Sequence, residues 1–93
     1  MAYETSNPPF LIAKGVGGGR GVWMYVDADA ITDVRVSGYF TNGSSLGLKA
    51  NDIMIVVDSD ASPISAQICI VNAVSSTVTD ISDGVAITAT DTD

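Results

Sequence analysis

The stretch KGVGGGRGVWMYVD, residues 14–27, decides how this chain is read. It places five glycines within seven residues and then runs straight into an apolar, aromatic segment. Such a run is either a phosphate-cradling loop or a connector that feeds a strand. A Walker-type loop needs GxxxxGK[ST], in which the lysine reaches the terminal phosphates and the hydroxyl binds magnesium. Here Arg20 is the only cation after the first glycines, and neither Gly21, which follows it, nor Val22 supplies the hydroxyl residue. The dinucleotide pattern GxGxxG also fails, because Arg20 or Val22 holds the third glycine position in the registers beginning at Gly15 and Gly17. Both motifs require a helix after the loop, so that its N-terminus meets the phosphates. The segment after these glycines is instead strand-like: Val22, Met24 and Val26 share one face, Trp23 and Tyr25 the other. Both faces are apolar, so this strand is expected to be covered on both sides.

Composition extends that reading to the whole chain. Valine, isoleucine and threonine number 11, 9 and 8, against three leucines. β-branched side chains are stiff at χ1 and suit pleated strands better than helices. Further strands are expected at FLIAK (10–14), DIMIVVD (52–58), ISAQICIVNAV (64–74), STVTDI (76–81) and GVAITATDTD (84–93). In the longest of these, Ile64, Ala66, Ile68 and Ile70 lie on one face and Ser65, Gln67, Cys69 and Val71 on the other. ADAITDV is compatible with a helical turn or a loop, and Asn42-Gly43 favours a turn with positive φ. Asp52 and Asp58 bracket the uncharged IMIVV as gatekeepers against strand aggregation. Strand centres about ten residues apart fit an all-β domain, a small antiparallel β-barrel or sandwich. Pro8 and Pro9 favour an extended entry, so residues 1–9 are expected as an N-terminal arm. The organisation is then an arm and first strand over 1–14, a glycine-rich connector over 15–21 and a barrel over 22–93.

Charge and residue types exclude several functions. The net charge is −7, with Lys14, Arg20, Arg35 and Lys49 as the only cations. Nucleic-acid affinity depends on a basic footprint, so DNA and RNA are not expected partners. No apolar run approaches the roughly 20 residues of a membrane-spanning helix, and MAYETSNPPF lacks the basic-then-apolar pattern of a secretory signal. Cys69 is the sole cysteine and sits in an apolar context, which reads as a buried small hydrophobe. The chain has no histidine, so the common general base, the histidine-dependent triads and the commonest zinc ligand are absent. DADAITDV and DSDASP lack the sixth-position glycine and twelfth-position glutamate of a calcium loop. Asp52 and Asp58 are the only candidates for a carboxylate pair beside an apolar strand, and Asp52 reads better as closing the turn before its strand. No enzyme, metal or cofactor is expected.

The aromatic residues offer contact surface instead, because Trp and Tyr bury large area and keep a polar handle. Candidate partner-binding residues are Tyr3, Pro8, Pro9, Phe10 and Leu11 in the arm and first strand, with Trp23 and Tyr25 in the second. Phe40 reads as core.

The order GVGGGRGVWMYVDADAITDV, VSGYFTNGSSLGLKANDIMIVVDSD, a long strand, NAVSSTVTDISDG and ATDTD resembles small structural proteins of tailed bacteriophages and related gene-transfer particles. Trp23, Gly38-Tyr39-Phe40, Leu46-Gly47 and Asp52 match that pattern over residues 10–93, while Asn51 stands where glycine is expected. The resemblance implies a virion protein made in the bacterial cytoplasm. It points to a capsid decoration, or cement, protein that stands as a homotrimer on the outer capsid over junctions of the major capsid protein. Within the virion, the alternatives are a head-fibre or spike base, a neck protein or a tail protein. A surface carbohydrate-binding module using Trp23, Tyr25 or Tyr39 as a stacking platform is the reading from another class.

Overall fold

The β-branched runs fold as strands, and the turn-rich middle supplies two single helical turns. The structure, a computed structural model, describes residues 3–14, 21–61, 64–87 and 92. In chain order the elements are β1 (Phe10–Lys14), β2 (Gly21–Asp27), α1 (Ile31–Val34), α2 (Gly43–Leu46), β3 (Ile53–Asp58), β4 (Ser65–Val74), β5 (Thr79–Ile81) and β6 (Val85–Ile87). The expected connector lies outside the described residues except for Gly21, the first residue of β2. The tail ATDTD, apart from residue 92, and Ser62-Pro63 of the DSDASP turn also lie outside them.

The all-β expectation holds, but the sheet is open and mixed rather than a closed antiparallel barrel. Its order is β1-β2-β3-β4-β5, with β6 also paired to β4. β1–β2, β3–β4, β4–β5 and β4–β6 are antiparallel, whereas β2 and β3 run parallel. Parallel neighbours cannot be joined by a tight turn and need a long crossover. Residues 28–52, with α1 and α2, provide it.

Register sorts the side chains onto two faces. Trp23, Met54 and Cys69 are aligned, as are Tyr25, Val56 and Gln67, and Val71 pairs with Ile81. Most of these are buried, and Ile31, Val34, Phe40 and Leu48 of the crossover close over them as one core. Ile31 and Val34 are three apart and so meet the sheet from one side of α1.

The opposite face carries three apolar rows. Across the middle run Phe10, Met24, Ile55, Ile68 and Val85. On one side lie Ala13, Val22, Ile53 and Ile70, and on the other Val26, Val57, Ala66 and Ile87. All are half-buried or exposed. The expectation that β2 is covered on both sides is therefore met only on the face of Trp23 and Tyr25, because the whole crossover packs there.

Residues 3–9, expected as an arm, lie against the domain itself. Pro9 is fully buried, Tyr3 packs on the core, and the Asn7 amide donates to Val26 O at 3.0 Å. The expected positive φ at Asn42-Gly43 is not found, since Asn42 has φ −124° and Gly43 opens α2. Glycine is needed at 43 for space, because a Cβ there would run into the Thr79 side chain. Left-handed backbone lies further on, at Gly47 (φ 100°), which caps the end of α2, and at Asn51 (φ 77°). Asparagine is among the few non-glycine residues that tolerate this region, which explains why it can replace the glycine of the resembling pattern.

Asn51→Ala is expected to lower unfolding stability by about 1 kcal/mol, while Asn51→Gly leaves it nearly unchanged. Urea denaturation followed by Trp23 fluorescence checks this, and equal stability for both variants would contradict it.

Candidate functional site

Three arrangements are candidates for function: the buried carboxylate Asp52, a tyrosine–aspartate cluster at the far end of the sheet, and a groove beside α1. Asp52 is 2% exposed. Its Oδ1 accepts the Gly21 N–H at 3.0 Å, and its Oδ2 accepts Trp23 Nε1–H at 3.0 Å and the Lys49 N–H at 3.1 Å. Its own N–H donates to Lys49 O, and its carbonyl accepts the Val71 N–H. The carboxylate closes the turn before β3, as the sequence suggests, and also holds the start of β2. Each of its oxygens is occupied by a structural donor.

At the other end, Tyr25, Tyr39, Phe40 and Tyr3 pack with ring centroids 4.9–6.0 Å apart. Tyr39 Oη–H donates to Asp29 Oδ2 at 2.6 Å, and the Tyr25 and Tyr39 hydroxyls lie 2.9 Å apart. Tyr3 Oη–H donates to Asn42 Oδ1 at 2.6 Å. Burial is the main cause of a raised Tyr25 pKa, pushed up to about 12, with the Asp27 and Asp29 charges acting the same way and the Tyr39 hydrogen bond opposing. Tyr39 is raised further, by burial first and then by its bonds to Asp29 and Tyr25. Tyr3 is raised by burial. These phenols are held neutral, as hydrogen-bond donors.

An open groove of about 430 Å³ lies beside them, bounded by Ile31 and Thr32 of α1, Asp58 of β3, Gln67 of β4 and Ile87 of β6. Asp58 Oδ1 accepts the Asp60 N–H at 3.1 Å, which closes the turn after β3. Asp52 and Asp58 stand at opposite ends of β3, about 20 Å apart at the ordinary strand rise. Paired-carboxylate hydrolysis needs a separation under about 10 Å, so these two do not form such a pair. No cluster of three metal-ligating side chains occurs among the described residues. Cys69 is buried, its thiol raised mainly by desolvation. A Cβ on Gly84 (φ 76°) would sit 2.7 Å from its sulfur.

The candidate partner-binding residues divide sharply. Trp23 and Tyr25 are 5% and 1% exposed, so neither offers a ring face to a partner or to a sugar. Pro9 is buried, while Tyr3 and Pro8 are half-buried. Phe10 and Leu11 are exposed, at 52% and 46%, with Ile12 beside them. Sequence reasoning missed the rest of the apolar face to which Phe10 belongs, notably Ile55, Ile68 and Val85. The signal for it is the two-sided apolarity of β2, which by itself does not say whether the same chain covers both sides. No helix among the described residues is long and apolar enough to cross a membrane. No protein-family model matches the chain, and no characterised protein or solved structure matches it significantly.

Replacing Asp52 by Ala strands two buried N–H donors, of Gly21 and Trp23, at about 1–3 kcal/mol each, and the part-buried N–H of Lys49. A loss of about 3 kcal/mol or more is expected, read from the urea midpoint, together with loss of the Trp23 near-ultraviolet dichroism. A loss under 1 kcal/mol would show that water replaces the carboxylate.

The tyrosines set an alkaline limit. Below pH 10 folded and unfolded chains both hold these protons, so the contribution is fully present. As pH rises from 10 towards 12, the unfolded chain releases protons first and stability falls. Tyrosinate absorbance at 295 nm should therefore rise above pH 10 and together with unfolding. Titration near 10 in a chain that stays folded would contradict this.

Proposed function

We propose that this protein is a non-enzymatic structural component of a bacteriophage virion. In this reading it is a decoration protein that binds the outer capsid as a trimer and braces contacts between major capsid subunits. The observation that carries the reading is the uncharged apolar sheet face on an otherwise acidic chain. Monomeric soluble proteins rarely leave more than a few hundred Å² of contiguous apolar surface open. The resemblance of residues 10–93 to small tailed-phage structural proteins supplies the setting.

The chemistry is consistent with bracing rather than catalysis. Asp52, Asp58 and the tyrosines are engaged in holding the fold. Packed DNA pushes capsid subunits apart, and a clamp across their boundary opposes it through buried area worth roughly 25 cal/mol per Å² before association costs. Repetition over the shell multiplies modest contacts. Because Tyr3, Asn7 and Pro9 are tied to the domain, reach towards the shell falls to the exposed β1 edge, where Leu11 and Ile12 lie.

Co-sedimentation with particles that lack the protein tests this. Saturation at hundreds of copies per particle is expected, with at least about tenfold weaker uptake by Leu11→Asp, as expected when a charge is driven into an apolar contact. No uptake would overturn the reading, and a few copies at a single vertex would replace decoration by the base of a spike.

A further inference from the structure

The three apolar rows raise the question of what covers them. They include no charged residue, although the chain carries eleven acids. We infer that this face is the seam between copies of this chain, three of which turn it inward around a common axis parallel to β3, with Ile55 nearest the axis. The inference rests on the trimeric decoration reading and names the surface that builds the trimer.

Charge favours copies over a foreign partner. Identical chains with a net charge of −7 repel one another, so they can meet only where no carboxylate is desolvated. The rows satisfy that condition: Asp52 and Asp58 point to the opposite face, Asp27 and Asp29 belong to the tyrosine cluster there, and Asp80, between the buried Thr79 and Ile81, lies on β5 outside the rows. A partner chosen by opposite charge would find none of its complement in the rows.

Dimensions are also suitable. Five strands about 4.8 Å apart make a face roughly 19–24 Å wide. Three such faces around a three-fold axis set each sheet about 6 Å from it, close to the ~5 Å half-spacing of packed sheets. Three alternate rows span about 20 Å along the strands, so each copy contributes on the order of 500 Å². The trimer then removes about 1,500 Å² from water as three pairwise contacts of about 500 Å² each; singly each falls short of the roughly 1,000 Å² of a stable contact, so the seam holds only as a closed ring. The contact also supplies the second layer that a lone sheet with one bare apolar face lacks.

Sedimentation equilibrium of the purified full chain tests the seam. The wild-type protein is expected at three times its 9.6 kDa mass. Ile55→Asp should weaken association at least about a hundredfold, since each chain would bury an unpaired charge. Val85→Asp places the same charge at the rim, where Val85 is 73% exposed, and guards against misfolding of the central variant. Near-ultraviolet dichroism of Trp23 and the tyrosines reports that each variant is folded. A wild-type monomer or dimer, or a trimer indifferent to both folded variants, overturns the seam. Particle uptake by a monomeric wild-type protein would overturn it while keeping the decoration reading. A trimer broken by Val85→Asp that no particle takes up would do the reverse.

Discussion

A carboxylate in a dry place needs donors, and the three N–H groups around Asp52 meet that need from three separate points of the chain. Gly21 opens β2, Trp23 is the first large residue on its core face, and Lys49 lies near the end of the crossover. Their convergence on one side chain fixes how far β2 has advanced when β3 begins. In a parallel pair no hairpin turn sets that register. The carbonyl of the same residue continues the β3–β4 ladder by accepting from Val71. Three strands thus take their relative positions from one residue, and Trp23 has a hydrogen-bonded place inside the core because Asp52 is there.

The fold has one wet-edged end and one dry end. At one end of β3 the carboxylate is enclosed by backbone. At the other, Asp27, Asp29 and Asp58 gather near Tyr39 and the turn amides. Between them lie aromatic rings, of which Trp23 and Tyr39 donate to these carboxylates while Tyr25 bonds through Tyr39 and Tyr3 to Asn42. The acidity that reads as a surface property in the composition is partly internal wiring. What remains between the two ends, on the opposite face, is hydrocarbon.

Much of this is legible in the sequence. The β-branched runs locate the strands, the residue types around Asp52 indicate its turn, and Phe40 and Cys69 are buried as expected. The failures share a physical cause. In β4, hydropathy favours the face of Ile64, Ala66, Ile68 and Ile70, yet Cys69 and Val71 are the buried residues and Ile68 and Ile70 are exposed. Alternation gives two faces and does not say which one the chain covers. Rings with polar handles make that choice: Trp23 needs Asp52, and Tyr25 needs Tyr39, so their face becomes the interior. The parallel sense of β2 and β3 is hidden for a similar reason, because both ladder types use the same side chains. The Tyr39–Asp29 bond spans ten residues of irregular chain and leaves only the alternating aspartates of DADA as a trace.

The irregularity of β1 has a consequence for growth. Its pairing with β2 slips between Leu11 and Ala13, Pro9 precedes it, and Lys14 ends it. The far border is also interrupted, since Ser82, Asp83 and Gly84 separate β5 from β6 along β4. A bulge and a proline spoil the row of free donors and acceptors that an incoming strand would need. Ribbon-like extension, one molecule adding its border to the next without limit, is therefore disfavoured at both margins. A sheet so blunted at its sides leaves the oily surface, and not its margins, as the ground on which any association would have to take place.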